Sequence, residues 1–454
     1  MTSTTPGAST DGVPPPSRAE LRKVRAATIL AQSTEWYDFF LYTTAAALVF
    51  PRVFFSTSFS PLAATLSSFA TIAVGFVARP IGGAIFGHFG DLRGRKPALA
   101  VTLVLMALAT FAIGVLPGYA AIGLMAPLVL TALRVVQGLA LGGLWGGAVL
   151  LATEYAPKGQ RGRFGAWAQI GLPIGLILSS GAFFAAAGLT DKASFLAYGW
   201  RVPFLAGGVV VIGALILQLR LEDTPAFRAV AKQPKRSPVL RVLREHPRRI
   251  LIAVGVYLVV GGSFYVCTTG ALAYGTGTLG LSRNTMLAVI SLGALSMCVS
   301  IPGFSILSDR IGRSRVYVLG VVLTLLWAWP MFALFDTRQP LLAGIAVVVG
   351  MFISGIMYGP TAALFSELFP VDMRYSGASL GYQLSNVVGG GFAPLIMTSL
   401  LAATGSSYSV SVYVVVMGLI TLGCLGLLRS MRRAESGVVD PDEVAPDEAE
   451  VTTA

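Results

Sequence analysis

Four ionisable residues stand inside apolar stretches of this 454-residue chain: Glu35 and Asp38 near the amino end, then Arg79, then Arg134. A carboxylate in apolar surroundings can hold and release a proton, and a guanidinium offers a planar fork of donors to a carboxylate. A charge at bilayer depth costs a few kcal/mol or more, so such a residue points to function by default. Glu35 and Asp38 are spaced i, i+3 and share one side of a helix, where one can face a cavity while the other supports it. The plainer reading is that Asp38 and the arginines neutralise one another and hold helices together, although buried pairs are weak evidence for stability.

Long apolar helices must position these groups. Hydrophobic residues make up 55% of the chain and charged residues 12%, with a mean hydropathy of +0.75. An ordinary soluble domain has roughly 45 to 50% and 25%, so a water-soluble protein is excluded. Twelve apolar runs reach the length that crosses ~30 Å of hydrocarbon, about 20 residues each. They cover 24 to 50, 62 to 89, 97 to 117, 123 to 152, 163 to 188, 200 to 219, 250 to 275, 284 to 308, 316 to 335, 341 to 366, 376 to 402 and 408 to 428. An even number puts both termini on one side.

The net charge of +12 and the isoelectric point near 9.8 would suggest nucleic-acid binding in a soluble chain. Position gives another answer. With both ends cytoplasmic, 26 of the 33 Lys and Arg fall in inner segments. Outer loops hold Arg52, Lys192, Arg201, Arg283 and Arg338, and Arg79 and Arg134 lie within spans. This asymmetry orients a membrane protein and leaves no case for a nucleic-acid partner. The predicted organisation is a disordered cytoplasmic segment 1–23, a six-helix bundle 24–219, a basic, proline-punctuated cytoplasmic linker 220–249, a second six-helix bundle 250–430 and a disordered acidic tail 431–454. The first 20 residues lack the order of a cleavable signal peptide.

Two signatures recur in the two halves. Asp91-Leu-Arg93-Gly-Arg95-Lys96 after the second span matches Asp309-Arg310-Ile-Gly-Arg313 after the eighth. Glu154-x-x-Pro157-x-x-x-Arg161 after the fourth matches Glu367-x-x-Pro370-x-x-x-Arg374 after the tenth. One such turn alone reads as a solvated loop; two in register read as an internal repeat. Each acid lies where a span leaves the membrane, in reach of loop arginines or of a neighbouring helix's positive end. Such contacts would latch the bundles shut on the inside and break as they rock apart, as in secondary transporters built from parallel repeats.

These turns, with Gly87 to Lys96 and Arg134-Val-Val-Gln137-Gly138, resemble the major facilitator superfamily. Glu35-Trp-Tyr-Asp38-Phe-Phe, Gly75-Phe-Val-Ala-Arg79-Pro80-Ile-Gly82-Gly83, Phe86-Gly87-His88-Phe-Gly-Asp91, Gly142-Gly-Leu144-Trp145-Gly-Gly147 and Trp200-Arg201-Val-Pro203-Phe204 resemble, more narrowly, its metabolite:proton symporters. The resemblance spans about 25 to 430. It implies an all-α fold of twelve transmembrane helices in two pseudo-symmetric bundles, with carboxylates, proline or betaine as substrates. It also implies a proton as coupling ion with no other cofactor, and a cavity lined from spans 1, 4, 5, 7, 10 and 11. Trp145 falls within the quoted motif. Where related sequences read Gly-Gly-Glu-Trp-Gly-Gly, this chain has Leu144, about ten residues before Glu154 and so ~15 Å into the membrane. Losing that carboxylate opens the readings of a facilitator or altered coupling, and tilts the cavity towards an anionic solute.

Asp38 lies beyond Arg25 at ~20 Å depth and Arg79 before Asp91 at ~18 Å, so the two sit at similar levels. Arg79 is expected to take a substrate carboxylate. Arg134, by family analogy, joins proton coupling with Asp38, and Glu35 is the second choice as proton carrier. Tyr37, Gln137, Gln169, Tyr257, Tyr265, Thr268, Tyr358, Gln383 and Asn386 are weaker cavity candidates, since each can equally serve interhelical hydrogen bonding. Cys267, Cys298 and Cys424 read as small hydrophobes, and His88 and His246 have no neighbours at metal-ligand spacing. No nucleophile-base set and no ATP-binding signature is present, so the chain is expected to be no enzyme and to run on a gradient.

The expected protein is a bacterial plasma-membrane symporter of a small organic anion, working as a monomer, with compatible-solute uptake or a transporter-fold receptor as rivals. Arg79→Ala and Asp38→Asn should each abolish proton-driven accumulation in proteoliposomes while the protein still inserts. Full accumulation by either variant removes that residue from the mechanism.

Overall fold

A computed structural model describes residues 18–93, 95–142, 160–220, 244–369 and 374–436; side chains are described for 25–26, 28–86, 100–142, 160–213, 244–369 and 377–431. The described residues are helical, without strands. The spans are α1 (Arg18–Leu48), α2 (Pro61–Arg93), α3 (Arg95–Val115), α4 (Met125–Leu141), α5 (Arg161–Gly188) and α6 (Arg201–Arg220). The second set is α7 (Pro247–Gly277), α8 (Arg283–Ile311), α9 (Arg313–Phe335), α10 (Pro340–Glu367), α11 (374–404) and α12 (Tyr408–Ser436). Nine helices among the described residues are long and apolar enough to cross a bilayer. The polar run Gln32-Ser33-Thr34-Glu35 and Asp38 interrupt the apolar surface of α1.

The helices overrun the apolar runs that foretold them. α1 begins at Arg18 and α12 ends at Ser436, so helix enters the flanks 18–23 and 431–436 that composition marked as disordered. The reason is local: Arg, Glu, Leu, Lys and Ala are good helix formers, and a transmembrane helix does not stop where hydrocarbon stops. The linker 221–243 and the end of the fourth apolar run, 143–152, lie outside the described residues.

Packing repeats with a step of six helices. α1 packs on α5 and α7 on α11; α2 packs on α4 and α8 on α10; α3 packs on α6 and α9 on α12. The two halves meet where α5 lies on α8 and α10, α2 on α11, and α1 on α7. Outward-facing Leu108, Val209, Leu326 and Leu341 are largely exposed, a distribution suited to lipid and not to water.

Close approach of α2 and α4 fixes the site's geometry. A Cβ at Gly138 would stand 2.2 Å from the Gly75 carbonyl oxygen, one at Gly82 would stand 1.9 Å from that of Leu139, and one at Gly142 would stand 1.9 Å from that of Arg79. In lipid, contact of this kind replaces the hydrophobic effect as the source of helix association. It also leaves a slot, since a Cβ at Gly75 would strike Arg134 Nε at 2.6 Å. In the second half the chain departs from α-helix at two π turns, Val266–Gly270 in α7 and Val387–Gly391 in α11. The second holds Gly389, Gly390 and Gly391, whose missing side chains admit Leu258, Tyr265 and, from α2, Phe76. These glycines let the helices approach closely at this turn.

Outside this seam, Arg201 explains its motif structurally. Its guanidinium donates to the carbonyls of Gly114 and Leu116 at 2.9 and 2.8 Å, closing the end of α3, while Trp200 and Phe204 pack with Phe50 and Phe54.

Gly138→Ala should cost about 1–3 kcal/mol through overpacking at the α2–α4 contact, read as a fall in detergent melting temperature. Gly181→Ala, whose Cβ meets nothing within 4 Å, should leave melting unchanged or slightly raised. Equal melting of the two variants would refute the contact's role.

Candidate functional site

Asp38 is fully buried on α1 and turns towards α3 and α4. Thr110 Oγ1 donates a short hydrogen bond to its Oδ1, and Gln137 Nε2 donates to its Oδ2 at 3.2 Å and to Thr110 Oγ1 at 3.0 Å. Arg134 Nη1 donates to Gln137 Oε1 at 3.2 Å, so the amide stands between guanidinium and carboxylate. The direct Asp38–Arg134 pairing suggested by the sequence is therefore a relay through Gln137, a residue that can donate and accept at once. Arg134 Nε, against the Gly75 slot, has no hydrogen-bond partner among the described residues.

Arg79 lies at the seam between halves. Its guanidinium sits over Phe39 and Phe76, 4.6 and 4.3 Å from the ring centroids, and Phe76 faces Gly391 of α11. Arg134 lies over Phe39 and Tyr42 at 4.7 and 4.2 Å, so the Phe39 ring serves both cations. Glu35, 9% exposed, accepts from Gln32 Nε2 at 2.9 Å and is within electrostatic reach of Arg79 and Tyr358. Of the two acids one helical turn apart, Glu35 thus faces the seam and Asp38 the interior of its own half. The sequence left open which of the two faces the cavity, with Asp38 the first choice as proton carrier and Glu35 the second.

The central pocket is nearly filled by side chains, with room for about one water molecule. Tyr257, Tyr265, Tyr358 and Asn386 line it from the second half, and Trp36 and Leu172 from the first. Two buried hydrogen bonds cross the halves beside it: Gln169 Nε2 donates to the Tyr358 carbonyl at 3.0 Å, and Gln383 Nε2 to the Gly142 carbonyl at 3.2 Å. Tyr37 is not in the cavity. Its hydroxyl donates to the Pro203 carbonyl at 3.3 Å and ties α1 to α6. Thr268 donates within its own helix to Phe264, at 2.9 Å. Trp145, Leu144 and Glu154 lie outside the described residues, as do the side chains of Asp91, Arg95 and Arg374.

Sequence reasoning missed Trp36, Phe39, Thr110 and Tyr382. Only the first two carried a signal, by flanking Glu35 and Asp38 on the helix. Asn386 Nδ2 donates to the Tyr382 carbonyl at 2.9 Å, and the Tyr358 and Tyr382 hydroxyls stand 3.5 Å apart.

At the basic loop-bearing face, Asp309 reaches across from α8 to the start of α5. Its two oxygens accept from the backbone N–H groups of Gly162 and Arg163 at 2.8 and 2.9 Å. α5 has no side-chain cap of its own at Gln160, so the cap is supplied by the other half. Arg313, 3.9 Å from Asp309, also pairs with Glu367 of α10. Both kinds of partner expected for Asp309, a turn arginine and a neighbouring helix's positive end, are thus found, while among the described residues the side chain of Arg161 pairs with no acid.

Two bundles related by a six-helix step, meeting at a seam with a buried cation and a breakable carboxylate contact at one face, define a secondary transporter fold. The chain matches the family model described as Major Facilitator Superfamily over residues 37–394 and 278–448, and it belongs to that superfamily. It is 39% identical over 417 residues to the inner membrane metabolite transport protein YhjE of Escherichia coli K12, covering 90% of this chain and 94% of that one. It is 39% identical over 427 residues to the shikimate transporter of the same strain, covering 92% and 97%. The fold is that of the xylose transporter XylE of E. coli in a partially occluded inward-open conformation, with a TM-score of 0.68 at 16% identity over 91% of this chain and 98% of that one. The likeness to metabolite:proton symporters therefore holds, and the protein is a membrane transporter, not an enzyme.

Asp309→Ala removes both acceptors from α5. A cysteine introduced by Ser308→Cys, with Cys267, Cys298 and Cys424 replaced by Ser, should then react faster with a maleimide by at least about tenfold, since two charge-assisted hydrogen bonds are lost. An unchanged rate would contradict the latch.

Proposed function

We propose that the protein is a proton-coupled symporter that brings a small organic acid across the bacterial inner membrane as a monomer, its basic face cytoplasmic. The observation that carries this reading is Arg79, a buried guanidinium at the seam with no hydrogen-bonded carboxylate of its own among the described residues and with Glu35 within electrostatic reach. An arriving carboxylate takes the Arg79 fork. Repulsion between that carboxylate and Glu35 then favours uptake of a proton with the substrate, so anion and proton bind together and cross as a neutral pair. Asp38 and Arg134, linked through Gln137 and sharing Phe39 with Arg79, keep the first half's charge balance as the site fills. Rocking of the halves opens the α5–α8 contact on the basic face and releases both ligands.

The relatives support an organic acid. Shikimate is a ring carboxylate, and the relative named for it is more similar to this chain than the E. coli proline/betaine transporter, which is 30% identical over 426 residues.

The test is uptake of labelled shikimate, 2-oxoglutarate, citrate, proline and betaine into proteoliposomes with and without an inward proton gradient. An organic acid should accumulate only with the gradient, and Glu35→Gln should equilibrate it without accumulation. Accumulation by Glu35→Gln equal to wild type would remove Glu35 from coupling. Accumulation of proline or betaine alone would favour the compatible-solute reading, and equilibration by the wild type would make it a facilitator.

A further inference from the structure

The pocket's walls differ in chemistry. The second half contributes phenols and an amide, and among the described residues no Lys, Arg or His of α7–α12 lines it. The first half contributes Trp36, whose side chain is 4% exposed and whose indole Nε1 has no hydrogen-bond partner among the described residues. A buried N–H without an acceptor is unfavourable, and each such group in a native structure calls for an account.

The indole is not free to swing away. It stacks on Phe40 at 5.4 Å and meets Phe39 edge-on at 5.6 Å, and its Cβ packs where a side chain at Gly175 would stand, 2.6 Å away. The Arg79 guanidinium lies over the same Phe39 ring at 4.6 Å. Trp36, which lines the pocket, and Arg79, at the seam, therefore both contact the Phe39 ring. The indole is a donor only, so its partner is an acceptor.

We infer that Trp36 Nε1–H is a second recognition point, donating to an uncharged oxygen of a substrate whose carboxylate is held by Arg79. The substrate class is then a hydroxylated or keto monocarboxylate, because a second carboxylate would be desolvated against Tyr257, Tyr265, Tyr358 and Asn386 with no cation to meet it. This inference rests on the organic-acid reading above and narrows it.

The test compares wild type with Trp36→Phe, which keeps the ring stack and removes the donor. The probes are shikimate, 1-cyclohexene-1-carboxylate, which is the same ring acid without its ring hydroxyls, and 2-oxoglutarate. In Trp36→Phe the KM for shikimate should rise about tenfold, the size of one lost hydrogen bond. The KM for the unhydroxylated acid should stay fixed, and 2-oxoglutarate should accumulate in neither protein. Trp36→His, which returns a ring N–H, should regain part of the affinity for shikimate.

Equal shifts for both ring acids would mean a structural role, and no shift would mean no contact; either overturns the inference while the organic-acid reading stands. Accumulation of 2-oxoglutarate by wild type at a KM similar to that of shikimate overturns the substrate class. A wild type that moves none of the three acids overturns the organic-acid reading, and this inference with it.

Discussion

Burying four ionisable groups in one half of a membrane protein is the constraint around which the rest is arranged. Each charge is expensive at bilayer depth unless it is met by an opposite charge, a dipole or an aromatic face. The first half supplies dipoles and aromatic faces around the middle of α1. Asp38 is held by Thr110 and Gln137, Arg134 by Gln137 and the rings of Phe39 and Tyr42, and Arg79 by Phe39 and Phe76. These contacts need α2 and α4 almost backbone to backbone, which is why Gly75, Gly82, Gly138 and Gly142 stand where any Cβ would meet a carbonyl or the Arg134 side chain. The glycines are the packing side of an electrostatic problem.

The halves divide labour. The first carries the charges and the second the neutral phenols, with π turns at Val266–Gly270 and Val387–Gly391 that shape the seam. Across that seam, among the described residues, two glutamine-to-carbonyl hydrogen bonds and the Asp309 cap on α5 stand beside ring contacts of Phe39 and Phe76 with Tyr265 and of Phe40 with Phe264. A carboxylate on two backbone N–H groups suits a contact that must open, since water replaces it readily once the helices part. In the proposed cycle the strongly held charges stay within one rigid half, and the weak contacts between halves are the ones exchanged.

Much of this was legible in the sequence. A charge inside an apolar run is conspicuous, so Asp38, Arg79 and Arg134 stood out, and the duplicated turns exposed the two halves and the Asp309 end of the latch. What was not legible depends on rotation and on backbone. The spacing of Glu35 and Asp38 puts them on one side of α1, but the packing of α3 and α4 decides that Asp38 turns inward. A threonine such as Thr110 has no distinguishing context in a helix. Tyr37 looked like a cavity residue because its neighbours are, yet its hydroxyl meets a carbonyl of α6. The partners of Asp309 are N–H groups at the start of α5, the kind of positive helix end that the turn's position allowed, but no residue type announces which helix supplies them.

The central claim is that an organic anion and a proton cross together because they meet at Arg79 and Glu35. The most direct measurement is the external pH of weakly buffered proteoliposomes when shikimate is added with no imposed gradient, against protein-free liposomes. Saturable alkalinisation that keeps pace with shikimate entry is the result the account predicts. Shikimate entry without proton movement would contradict it.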